Sequence, residues 1–236
     1  MTIDETRFAV VDVETTGLNH ETDKVVQIAA YQVYRGEITL LYESLVHPLR
    51  PIPPEVSAVH HITDRDVEFA LPWDAVWPEV AAVLAPADVL VAHNAAFDRS
   101  FLPSSLEKPW LCTKRLAQHL WPDAPNHKNQ TLRYCLGLEL DAAAHDASGD
   151  TLVTAHVLSK EIEAYLQNGG VDSVEALIQL ADSPVAIQKM PFGKHFGTTL
   201  TDVPLDYLRW ALRNIADMDA DLRWSMEQVL QQGVRV

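Results

Sequence analysis

Residues 7–18, RFAVVDVETTGL, begin with apolar and β-branched residues and end on two acids and a tight turn. The run of residues 7–13, RFAVVDV, reads as a buried strand. Asp12 and Glu14 are two apart, so on a strand both side chains leave the same face. At the strand's end such a pair can share a cation, or it can be an acidic edge that blocks further pairing. Thr15, Thr16, Gly17 and Leu18 follow as a turn, offering N–H groups, hydroxyls and one apolar contact beside the acids.

Working outward, residues 24–34 and 37–46 read as two more strands, joined at Arg35-Gly36 in an antiparallel meander. A proline-rich connection, HPLRPIPPE, leads to a short helix, EVSAVH, and a longer one, DAVWPEVAAVLA. Two short strands, DVLVAHN and WLCT, are each followed by a helix, and Asn94 is the N-cap candidate of the first. A further helix, TLRYCLGL, stops at Gly137. From Ala147 to Gln167 a long helix carries Leu152, Ala155, Leu158, Ile162 and Tyr165 as an apolar stripe. Helices alternating with strands predict an α/β fold, a mixed central sheet flanked by helices. Asn168-Gly169-Gly170 reads as a hinge between a domain of residues 1–168 and a small C-terminal module of residues 171–236.

Two further acidic stretches lie at predicted element edges. Asp98, in VAHNAAFD, falls in the first turns of a helix after a buried strand, near that strand's carboxyl end, where α/β sheets concentrate their sites. His145 and Asp150, in HDASGD, straddle the start of the long helix, and Gly149 leaves room for close approach. Taken singly, each has an ordinary explanation: a dipole-favoured acid in a first turn, or a capping histidine with a solvated acid. Taken together they are an acid set that would repel itself without a cation. Two divalent ions would make the same set a centre for phosphodiester cleavage. An imidazole with an ordinary pKa near ~6.5 suits a general base at neutral pH.

Composition sets limits on this reading. The 236 residues carry a net charge of −15, the wrong sign for gripping long nucleic acid by counterion release. An enzyme holding only a strand end is compatible with that charge, because metals neutralise carboxylates and meet the phosphate directly. Bases cluster locally at Lys114-Arg115, at His127, Lys128 and Arg133, and at Lys189, Lys194 and His195. No apolar run is long enough to cross a membrane, and the first residues lack a secretion signal. Two isolated cysteines, Cys112 and Cys135, suit reduced thiols in a cytoplasmic protein.

The three acidic stretches, in this order, resemble the DEDDh 3′→5′ exonuclease family of the ribonuclease H-like superfamily. Asp12 and Glu14 with Thr15-Thr16-Gly17-Leu18 match its first motif, His93, Asn94, Phe97 and Asp98 its second, and His145 with Asp150 its third. The resemblance implies a ribonuclease H-like exonuclease fold and two Mg²⁺ or Mn²⁺ ions held by Asp12, Glu14, Asp98 and Asp150. It implies His145 as the base, and release of 5′-mononucleotides from DNA 3′ ends, single-stranded or duplex. Val59-His60-His61-Ile62-Thr63 is similar to the family's His-Gly-Ile-Thr stretch, with His61 in place of the usual glycine. By that likeness Glu55 and His60 are expected to face the substrate, with Leu18 and Phe97 against a base.

The tail PFGKHFGTTLTDVPLDYLRWAL resembles the small C-terminal module of one exodeoxyribonuclease subgroup. Its Gly193, Lys194 and Gly197 could meet phosphates, or the segment could be a turn that packs Phe192, Tyr207 and Trp210. Three other readings stay open: an exoribonuclease of the same fold, an inert binding module, and a phosphoesterase unrelated to nucleic acid. The complete acid set disfavours the second, and the groups expected against a base disfavour the third.

Overall fold

The structure is a computed structural model that describes residues 1–103, 106–140 and 146–233. Three strands come first, β1 (Phe8–Thr15), β2 (Val25–Tyr34) and β3 (Glu37–Leu45). Three helices follow, α1 (Pro54–His60), α2 (Asp64–Val67) and α3 (Trp73–Leu84). Then β4 (Val89–Ala92), α4 (Ala95–Phe101), β5 (Trp110–Cys112), α5 (Thr113–Leu120) and α6 (Asn129–Cys135) alternate. The long α7 (Ala147–Gln167) and α8 (Val174–Asp182) precede two single 3₁₀ turns, α9 (Leu205–Asn214) and α10 (Ala220–Gly233).

The sheet runs β3-β2-β1-β4-β5. β1 pairs antiparallel with β2, and β2 with β3, whereas β1–β4 and β4–β5 are parallel. This is the mixed sheet expected from the order of strands and helices. β1 sits centrally and is buried on both sides, which is why its apolar run is continuous rather than alternating. Ala9, Val11 and Val13 meet α3 and α4 residues such as Val80, Leu84 and Ala95 on one side. Phe8 and Val10 meet Leu116 of α5, Ala155 and Leu158 of α7 and Leu177 of α8 on the other.

α7 buries more than the predicted stripe. Leu152 is only half-buried, while Val153, Val157 and Glu161 are buried beside Ala155 and Leu158. The reason is a second packing surface: Val153 and Val157 form a core with Ala117 of α5 and Leu132 of α6.

The chain divides into two compact units, Met1–Ala181 and Asp182–Val236. The break thus falls after α8, later than the glycine pair. Gly170 packs so closely that a side chain there would run into the Tyr165 ring, and Val174, Leu177 and Ala181 complete the first unit's core. The second unit has its own core of Met190, Leu200, Val203, Leu208, Ala211, Leu222 and Met226. Asp221 accepts from the Val185 N–H at 2.9 Å, and Ser225 from the Ile187 N–H at 2.8 Å, tying the segment before its turns to α10. Among the described residues no helix is long and apolar enough to cross a membrane.

Candidate active site

Asp12 and Glu14 share a face of β1 with Phe8 and Val10, beyond the point where apolar packing stops. Opposite them on β2 stand Ala29 and Gln27. The pairing of β1 with β4 ends at Val10↔Val91, so the β4 side of β1 is open beside the acids. Asp98 of α4 reaches into that opening. It is 2% exposed, and its Oδ1 accepts the Val13 N–H at 3.2 Å.

Asn94 takes a left-handed conformation, φ 80°, which turns the chain from β4 into α4. His93, just before it, orders this corner. One ring nitrogen meets Thr113 Oγ1 at 2.9 Å and the other the His127 carbonyl at 2.8 Å. Burial lowers its pKa to about 4, against a weaker upward pull from the His127 carbonyl. The ring is therefore neutral, and it joins β4 to the start of α5.

The N-terminus of α7 brings the third stretch. Asp146 caps it, accepting the Gly149 N–H at 3.0 Å. Gln27 clasps this cap from β2: its Nε2 donates to Asp146 Oδ1 at 2.7 Å, and its Oε1 accepts the Ala147 N–H at 3.0 Å. One turn into the helix, Asp150 Oδ1 accepts from Gln130 Nε2 at 2.6 Å, and its carbonyl accepts from Asn129 Nδ2 at 2.9 Å. His145 lies outside the described residues. Gln27, Asp146, Asn129 and Gln130 were missed by sequence reasoning. Asp146, three residues before a glycine at a helix start, carried a capping signal.

Electrostatics tie the acids together. The pKa of Asp12 is held well above its ordinary value, first by burial, then by Asp98, Glu14, Asp150 and Asp146. Glu14 is pushed up to about 7, by burial and then by Asp150 and Asp146. Asp98 is also pushed up to about 7, chiefly by burial, with Glu14 adding to it and the Val13 N–H opposing it. Such a set fits a hard divalent cation, which takes carboxylate oxygens and would relieve their repulsion. As the side chains stand, no three acids, histidines or cysteines among the described residues form a finished metal cage. The Val13 N–H and the Gln130 amide hold the Asp98 and Asp150 oxygens instead.

The remaining predicted residues lie at the end of β1 and on the turn after it, on α1 and on α4. Thr15 Oγ1 donates to the Gly17 carbonyl at 2.6 Å. Thr16 is 1% exposed, and its hydroxyl accepts the Lys24 N–H at 3.0 Å. Both hydroxyls therefore build the turn. A side chain at Gly17 would press on the Asp23 carboxylate, which would have to shift. Leu18 is 87% exposed, a free apolar side chain next to the acids in sequence. Phe97 is half-buried against Phe101, with ring centroids 5.0 Å apart. Glu55 is exposed on α1. His60 was expected toward the substrate, yet it is only 4% exposed. Its Nδ1 accepts the Ile62 N–H at 3.0 Å, and burial lowers its pKa against an upward pull from the Thr15 backbone.

A family model described as Exonuclease matches residues 9–158. Another, described as Putative quorum-sensing-regulated virulence factor, matches residues 176–215. Exodeoxyribonuclease 10 of Escherichia coli strain K12 is 31% identical over 230 residues, 94% of this chain and 98% of its own length. The PolC-type DNA polymerase III of Bacillus subtilis strain 168 is 32% identical over 71% of this chain, but that is 12% of the polymerase. A solved structure of exonuclease X in complex with 5′ overhanging duplex DNA aligns at 31% identity and TM-score 0.62, covering 74% of this chain and 99% of that one. Escherichia coli exonuclease I in complex with a dT13 oligonucleotide shares the fold, at 16% identity and TM-score 0.59 over 70% of this chain and 43% of that one. The family is generally dependent on divalent metal. With its residues 9–158 matched and a relative aligned over nearly the whole of both lengths, the chain belongs to the exonuclease family.

Proposed function

We propose that this chain is a 3′→5′ exodeoxyribonuclease that releases 5′-mononucleotides from DNA 3′ ends, in DNA repair or end trimming. The observation that carries this reading is the convergence on buried Asp12 of Glu14, Asp98 and Asp150, from β1, α4 and α7, whose charges help hold its pKa up. The near-full-length likeness to an exodeoxyribonuclease supports DNA over RNA.

Asp12, Glu14 and Asp150 would hold one Mg²⁺ or Mn²⁺, and Asp98, with Asp12 shared, a second. When bound, the ions supply charge stabilisation for the attacking and leaving oxygens of the displacement. The chain's own groups do the rest. His145 takes the proton of the attacking water. Leu18 and Phe97 hold the terminal base, and the turn of Thr15, Thr16 and Gly17 sets where Leu18 projects. Glu55 faces the terminal nucleotide, and the buried His60 supports the turn after β1 through the Thr15 backbone. With a net charge of −15 the chain keeps few phosphates and leaves the strand often, so cutting is distributive. The free Cys112 and Cys135 fit a reducing, cytoplasmic setting.

The test uses purified full-length protein, Mg²⁺, and 5′-labelled DNA and RNA of identical sequence with single or paired 3′ ends. Stepwise shortening of DNA from the 3′ end is expected. Cleavage of RNA with DNA spared would favour the ribonuclease reading, and no cleavage of either would end the enzymatic one.

A further inference from the structure

The first 181 residues carry 26 acids against 12 bases, whereas residues 182–236 carry seven against six. The near-neutral unit also displays an aromatic surface outside its core. α9 is amphipathic: Leu208 and Ala211 are buried, while Asp206, Arg209, Trp210 and Arg213 are exposed. Trp210 is 49% exposed and contributes nothing to the buried cluster of that unit. The indole leans on Tyr207 rather than entering the core, and leaves a face open on the arginine-bearing side of the helix.

The surface around it is built. Tyr207 lies at its centre, tilted against Trp210 with ring centroids 5.5 Å apart. His195 meets Tyr207 edge-on at 4.6 Å, and Lys194 Nζ stands 5.0 Å from the centre of the same ring. Gly193 has φ +70°, and a side chain there would press on the tyrosine hydroxyl, so the turn is moulded to the ring. Lys194, His195, Pro204, Asp206, Tyr207 and Trp210 line one open cleft. Its acid, Asp206, is paired with Arg209 at 3.0 Å. The turn after His195 also exposes Phe196, 74% accessible.

We infer that the C-terminal unit carries a holding site for single-stranded DNA, with a base stacked on Trp210 and a phosphate against Lys194. Exposed aromatic faces interleaved with cations are what a strand of alternating bases and phosphates requires. The inference rests on reading the chain as acting on DNA. The first unit, with 26 acids against 12 bases, is poorly suited to a long backbone grip, whereas the near-neutral second unit sets Lys194 beside the rings of Tyr207 and Trp210.

The test is fluorescence anisotropy of a labelled oligothymidylate of about 20 nucleotides with full-length protein and chelator, so that binding is separate from cleavage. Trp210→Leu keeps an apolar side chain and removes the stacking face. It is expected to weaken binding by about 5- to 100-fold, with Trp210→Phe recovering most of it. Lys194→Gln should lower the slope of log affinity against log salt by about 0.7. With Mg²⁺, KM for the long strand should rise in Trp210→Leu, while kcat and cleavage of a trinucleotide stay as in the parent. Parent-like binding by Trp210→Leu would overturn the proposal. If that variant also loses thermal stability, Lys194→Gln decides, and an unchanged salt slope overturns it. Intact oligothymidylate binding in an enzyme that cuts no DNA would refute the nuclease reading and leave this one standing.

Discussion

The Asp98 carboxylate accepts the Val13 N–H at 3.2 Å, on the stretch of β1 that β4 leaves unpaired. One side chain thus satisfies a backbone donor between the two acids of the first motif and places a third acid beside them. Asp98→Asn keeps an oxygen for that N–H but loses the charge. It should fold like the parent while cutting DNA on the order of 10³-fold more slowly. Gel analysis of a 5′-labelled strand checks this; parent-like cutting would remove Asp98 from the site.

The same carboxylate makes a stability prediction. Asp98 and Glu14 are raised to about 7, from ordinary values near 4, so the folded state binds protons that the unfolded state releases. Their stabilisation is present at low pH and is lost as pH rises through that window. At pH 8 without divalent ions, Asp98→Asn should therefore melt higher than the parent, with little difference near pH 4. Mg²⁺ should raise the parent's Tm at pH 8 far more than at pH 5. Calorimetry showing no Mg²⁺ effect at pH 8 would argue against a cation site.

His93 has the opposite sign. Its pKa of about 4 lies below the ordinary 6.5, so acid favours the unfolded chain. Stability should fall as pH drops from 6.5 towards 4, by on the order of 3 kcal/mol from this residue. Urea unfolding of His93→Gln across that range should show a shallower loss than the parent. Equal slopes would mean that His93 is not held neutral.

Gln27 and Asp146 make a clasp that holds α7 on β2. Gln27→Leu strands the buried Ala147 N–H and frees the cap, at a cost of about 1–3 kcal/mol. Because α7 also carries Asp150, activity should drop about 10- to 100-fold with KM little changed. Urea titration and steady-state kinetics measure both. Full activity would show that α7 is positioned without the clasp.

Asp12, Glu14, Asp98 and Asp150 stand out in the sequence because each sits in a local stretch whose neighbours mark a strand end or a helix start. Their supports do not. Gln27 looks like any polar strand residue until α7 lies over it, and Gln130 gains its role only by meeting Asp150 from a separate helix. His60 reads as a site residue from its likeness, but its burial, with Nδ1 turned to the Ile62 N–H, depends on how the segment after β3 folds back. Gly169-Gly170 reads as a linker by composition, yet Gly170 is there for contact with Tyr165. The mixed sheet was legible because its strands are short, buried and bounded by clear turns.

His145 was read from its motif, and kinetics can test it directly. His145→Ala should lower kcat strongly while leaving KM near the parent value, as for a group acting on the attacking water. A rise in KM alone would reassign it to binding.

The proposed chemistry needs four side chains from three elements to work as one cation-dependent centre, and removing Asp12, which the other three acids all act upon, probes that most directly. Full-length protein and Asp12→Ala should be compared on a 5′-labelled single strand at saturating Mg²⁺, under single-turnover conditions. The parent should erode the strand stepwise from its 3′ end, and the variant should be on the order of 10³-fold slower or inert. Near-normal erosion by Asp12→Ala would contradict the proposed chemistry.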